Sequence, residues 1–128
     1  PVNEENSYFW AKKLDYRKIT TDRQFKDTTS YSRDVFLKLL TDYENTYKAL
    51  YGQSYEDYVL ENVTEEPKLK TLGDTLFFVL FQMKNDLIFG SLGAVFGMCG
   101  ASASNNFKRF SELLEKTLEK KSVANQEI

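Results

Sequence analysis

Histidine does not occur in this sequence, and cysteine occurs once, at Cys99. The two scarcities exclude disulfides within the chain, zinc sites of ordinary ligand spacing, and acid–base or nucleophilic catalysis built on imidazole. No run reaches the length of a membrane span, and the opening PVNEENSYFW lacks the basic and apolar regions of a signal peptide, so a cytoplasmic protein is expected. Internal repeats and low-complexity tracts are missing too. Gly90, Gly93, Gly97 and Gly100 lie close together, yet they follow no strand pattern and no lysine-serine or lysine-threonine pair completes a phosphate loop. They read as helix-crossing and turn glycines. Most enzyme classes become poor bets, and the expectation is a chain with no catalytic residues, no metal and no cofactor.

What the sequence does contain is aromatic residues, with ten phenylalanines and eight tyrosines among 128 residues. A chain of that length forms one domain with a real core, and this core should be rich in rings. The net charge is −2 and the pI about 5.2, which argues against a strongly basic wrapper of nucleic acid. Charge is instead segregated along the chain. Residues 12–38 carry Lys12, Lys13, Arg17, Lys18, Arg23, Lys26, Arg33 and Lys38, whereas 51–67 carry Glu56, Asp57, Glu61, Glu65 and Glu66 with no basic residue before Lys68. Each cluster taken alone is accounted for as solvated surface.

Read in order, the pattern is all-α, a compact bundle of five or six helices. Residues 1–14 form an N-terminal arm or short helix, with Tyr8, Phe9 and Trp10 directed at the core. In the helical part 15–52, Thr20 and Thr21 precede DRQFKD, where a threonine cap and Asp22 in the first turn favour a short helix anchored by Phe25. Ser32 is the cap of a longer helix whose stripe is Phe36, Leu39, Leu40, Tyr43, Tyr47 and Leu50, and Gly52 ends it. Periodicity is lost in the acidic connector 53–70. Tyr55, Tyr58, Val59, Leu60 and Val63 support a short helix there, against Pro67 and the acids, and flexibility is expected. Thr71 and Asp74 resemble a capping box opening TLGDTLFFVLFQMKN, which is apolar nearly all round, from Leu76 through Phe77, Phe78, Val79, Leu80 and Phe81 to Met83. It is the expected central helix of the part 71–121, and the tail 122–128 should fray.

The last part reads as a C-terminal helix-turn-helix. Phe89, Leu92 and Phe96 recur at helical spacing, Gly97 stops the helix, and Met98 plugs the corner. Gly93 sits four residues before that stop, where the chain must approach closely. Beyond it Ala103, Phe107, Phe110, Leu114 and Leu118 give the second helix one apolar face, while Ser102, Ser104, Asn105, Lys108 and Arg109 point elsewhere. Asn106 falls where an apolar residue is usual, so either Phe107 takes that role or the register differs by one. Any αα-hairpin also needs a glycine at its corner, so the spacing is compatible with a helix pair that touches no DNA.

Three stretches in this order, DRQFKDTTSYSRDVFLKLL, PKLKTLGDTLFFVLFQMKND and LGAVFGMCGASASNNFKRFSELLEKTLEK, resemble the N-terminal region of bacterial insertion-sequence transposases of the DDE class. The likeness covers roughly residues 15–120. It rests on Thr71, Asp74, the TLFFVLFQMKN helix, and Leu92, Gly93, Phe96, Gly97, Met98 and Ala103. Three features depart from the family. Cys99 stands where a serine usually caps the recognition helix, Ile88 stands where a threonine usually caps the helix before it, and the linker before Lys68 is acidic where relatives are often basic. The catalytic acids that such transposases use for two-metal strand transfer have no counterpart in these residues.

The resemblance implies sequence-specific binding of double-stranded DNA, with the terminal inverted repeats of a mobile element as the target. Gly100 and Ala101 would allow close approach, and Ser102, Ser104 and Asn105 would reach base edges in the major groove. Lys108, Arg109, Lys68 and Lys70 would meet phosphates. The alternative is a helical interaction or dimerisation module that has kept the fold and turned its surface to a protein partner. Neither reading calls for a membrane or a small-molecule substrate.

Overall fold

A computed structural model of the chain describes residues 14–62 and 68–126. Expectations for Tyr8, Phe9, Trp10 and Val63 lie outside the described residues. Among these residues there are six α-helices, one 3-10 turn and no strand: the turn at Tyr16–Lys18, α1 Asp22–Thr29, α2 Arg33–Tyr51, α3 Tyr55–Asn62, α4 Leu72–Asn85, α5 Phe89–Phe96 and α6 Gly100–Gln126. Among the described residues no helix is long and apolar enough to cross a membrane.

Local chemistry accounts for the boundaries. The Thr21 and Ser32 side chains accept from the backbone of Gln24 and Val35, satisfying donors that have no partner within α1 and α2. Thr71 accepts from the Asp74 N–H while Asp74 accepts from the Thr71 N–H, a complete capping box on α4. Four helices stop at a left-handed residue, namely Ser30, Gly52, Asp86 and Gly97.

α4 is the core. Leu72, Leu76, Phe77, Phe78, Val79 and Leu80 are all buried, and α1, α2 and α6 pack around them. Rings interlock across the elements at centroid distances of 5.0 Å (Tyr16 to Phe36), 5.2 Å (Phe25 to Phe36), 6.2 Å (Phe25 to Phe77) and 5.0 Å (Phe78 to Phe96). Such edge and tilted contacts add to the area term of burial. At the centre the Tyr43 hydroxyl lies 3.1 Å from Thr75 Oγ1 and donates to the Phe110 carbonyl at 3.4 Å, tying α2, α4 and α6 together. Burial pushes its phenol well above the ordinary range.

Of the two alternatives open for the connector 53–70, the short helix is formed, as α3: Ser54 accepts from the Asp57 N–H, and Tyr55 is buried with its hydroxyl donating 2.7 Å to the Leu69 carbonyl. Other expectations need correction. Leu50, Met83 and Leu118 are exposed at 45%, 61% and 48%, since each sits beyond the edge of the face its helix buries. Leu113 and Thr117 take the buried place expected of Leu118. α6 continues to Gln126, past the point where fraying was expected, with Lys121 paired to Asp42 of α2 at 3.1 Å.

Candidate nucleic-acid interface

Gln82 sets up the α5–α6 pair. Its buried amide donates 2.7 Å to the Leu87 carbonyl and accepts 3.1 Å from the Leu87 N–H, which fixes the link out of α4. Ile88 then starts α5 with no side-chain cap, as its apolar side chain dictates. At the far end Gly97 adopts a φ of 78°, and the Met98 N–H donates 2.8 Å to the Gly93 carbonyl. A Cβ on Gly93 would collide with the Met98 carbonyl oxygen, so glycine is what lets the turn fold back over α5. Gly100 has a similar role two turns away. A Cβ there would come within 3.2–3.3 Å of the Gly90 backbone, so the glycine serves the crossing of α5 and α6.

Met98 is half-buried in the corner, where the Asn106 amide donates to its sulphur at 3.4 Å. Phe107 supplies the apolar contact in this register, its ring 6.1 Å from that of Phe89. Cys99 precedes α6 with its carbonyl accepting from Ala103 and its Sγ 3.4 Å from the Ser102 hydroxyl. That hydroxyl, followed by the backbone N–H groups at the helix start, lowers the thiol pKa from its ordinary value. The contact of Sγ is with the Ser102 side chain, and no backbone N–H of the helix start donates a hydrogen bond to the sulphur among the described residues.

Ala101, Asn105 and Lys108 follow one another at i, i+4 and i+7 on the outer face of α6, opposite buried Ala103, Phe110 and Leu114, and all three are exposed. Ser102 is exposed on one flank of this row, and Ser104 half-buried on the other. No protein family model, curated protein or solved structure matches the chain.

Arg109 is placed differently from Lys108. Its guanidinium lies 5.1 Å from the ring of Phe110 and 6.0 Å from that of Tyr58 on α3, so it leans over a cluster of tyrosines. Burial raises the phenol of Tyr55 to about 12 and that of Tyr47 above its ordinary value, and in both the Arg109 charge pulls the other way.

Lys68 and Lys70 stand apart from α6. They line a cleft of about 300 Å³ together with Arg17 and Lys18, and no residue of α6 contributes to its wall. Sequence reasoning passed over Arg17 and Lys18 as members of a charged run. Nothing in local spacing announces that a residue 57 positions before Asp74 will pair with it.

Proposed function

We propose that α5 and α6 form a helix-turn-helix that binds double-stranded DNA, with the first turns of α6 in the major groove. The observation that supports this most directly is the outer face of α6. Ser104, Asn105 and Lys108 have no side-chain partner among the described residues, although each is polar and accessible. The pair is also free of acidic residues from Leu87 to Ser111, in a chain that carries 19 of them. A duplex can therefore approach without meeting a like charge on these two helices until Glu112. Asn105 reads a base edge, Ala101 permits close approach, and Lys108 meets a phosphate. Arg109, engaged with Tyr58 and Phe110, positions the helix more than it contacts DNA. The target is the terminal inverted repeat of a mobile element, bound by the N-terminal part of a transposase-like protein.

Fluorescence anisotropy with labelled duplexes at about 50 mM salt tests the reading. Lys108→Ala should weaken binding to terminal-repeat and random duplexes alike and reduce the salt slope by about one unit. Asn105→Ala should cost about 1 to 3 kcal/mol on the repeat and little on random DNA. Absence of any duplex binding by the wild-type chain would sink it.

A second reading, a protein-interaction module, draws on Leu50, Tyr51 and Leu60, exposed at 45%, 55% and 82% toward the C-terminal ends of α2 and α3. Sedimentation equilibrium distinguishes it, because self-association abolished by Leu60→Lys is expected of a module and not of a monomeric DNA reader.

A further inference from the structure

The cleft between the 3-10 turn, the start of α4 and the end of α5 inverts the charge of the chain around it. Its wall holds Arg17, Lys18, Lys68 and Lys70 against Asp15 and Asp74, four cations to two anions, in a protein whose net charge is −2. Both carboxylates are engaged internally. Arg17 Nη1 lies 3.2 Å from Asp15 Oδ1 and 2.8 Å from Asp74 Oδ1, its Nη2 donates 2.8 Å to Thr71 Oγ1, and the second oxygen of Asp74 accepts the Thr71 N–H. Lys18 and Lys68 have no carboxylate partner among the described residues. Leu14, Phe77 and Phe96 supply apolar lining.

We propose that this cleft binds a small phosphorylated ligand, of nucleotide size or less. The Lys18 and Lys68 ammonium groups take the phosphate, while the Arg17 network holds the two acids out of its way. A volume of about 300 Å³ admits a pyrophosphate readily and a mononucleotide closely. The apolar lining receives whatever the phosphate carries. The site stands independently of the DNA reading, since none of its residues belongs to α5's outer surface or to α6.

Isothermal titration of the whole chain with inorganic pyrophosphate and, separately, with AMP at about 20 mM salt tests it. Saturable binding is expected, weakened about tenfold or more by Lys18→Ala with Lys68→Ala. Lys120→Ala on α6 should leave it unchanged. All three lysines are exposed, and coincident thermal melts would verify that the variants fold. Three outcomes overturn the proposal: no saturation up to about 10 mM of either probe, an equal loss in Lys120→Ala, or a loss in the double variant of duplex binding alone. The last would make the cleft a contact for the DNA backbone. Failure of duplex binding with pyrophosphate binding intact would count against α6 only.

Discussion

Two helices of this protein begin in contrasting ways. At the start of α4, polar groups from three elements converge: Thr71 and Asp74 cap each other, Arg17 reaches in from the N-terminal turn, and Glu56 of α3 accepts from the Leu72 N–H at 3.2 Å. At the start of α6, the bonds come from the turn itself, through the Cys99 carbonyl and a sulphur-to-hydroxyl contact, and the next polar side chains outward face solvent. A helix end satisfied from inside the fold serves stability. At α6 the outward polar residues Ser102, Asn105 and Lys108 are left open to solvent and add little to stability.

The contrast is sharpest where it predicts opposite responses. Leu76→Ala, below the closed start of α4, should lower unfolding free energy by about 2 to 5 kcal/mol in urea denaturation, because Leu76 is fully buried and the cavity will not collapse. A loss under about 1 kcal/mol would remove α4 from the centre of the fold. Next in size is Gly93→Ala, expected to cost about 1 to 3 kcal/mol because the new Cβ pushes on the Met98 carbonyl. Gly90→Ala on the same helix meets nothing within 4 Å and should be neutral or stabilising, so the pair of melting temperatures separates a steric effect from helix propensity.

A smaller effect sets the two helix starts directly against each other. Thr71→Ala should cost about 1 to 2 kcal/mol, since it removes a cap and leaves Arg17 without one acceptor. Asn105→Ala should stay within about 0.5 kcal/mol of wild type. Equal losses would mean that the start of α6 contributes to stability as much as that of α4. The finest test is chemical. Alkylation of Cys99 followed against pH should show a midpoint below that of an unperturbed thiol, because the Ser102 hydroxyl stabilises the thiolate. Ser102→Ala should move that midpoint upward, and an unmoved midpoint would remove the hydroxyl as the cause.

Much of α4 could be read from the sequence because its determinants are short-range. Thr71 and Asp74 are three residues apart, and a helix apolar on every side belongs inside. The caps Thr21 and Ser32 and the stops Gly52 and Gly97 were legible for the same reason. α3 was legible only in part: Tyr55, Tyr58, Val59 and Leu60 support a helix, but its principal anchor is a bond from Tyr55 to a carbonyl 14 residues later, across Pro67 and a run of acids that locally argue for a loop. The candidate interface divides in the same manner. Ala101, Asn105 and Lys108 share a face by helical period alone, whereas the separation of Arg109 from Lys108 depends on α3 lying beside one flank of α6. The gathering of Arg17 and Lys18 with Lys68 and Lys70 needed the tertiary fold. No periodicity carries it.

The four left-handed stops bear on how the chain reaches this structure. Ser30, Gly52, Asp86 and Gly97 each take a φ between 50° and 78°, and at each the cap N–H closes onto a carbonyl four residues earlier. A chain reversal made in this way depends on its own residues and on nothing distant. Where each of these helices ends is thus set locally, while α1, α3 and α5, at eight residues each, gain most of their stability from packing onto the rest of the fold. An all-helical fold held mainly by contacts close in sequence should refold in milliseconds or less, with little time for exposed aromatic surface to find another molecule.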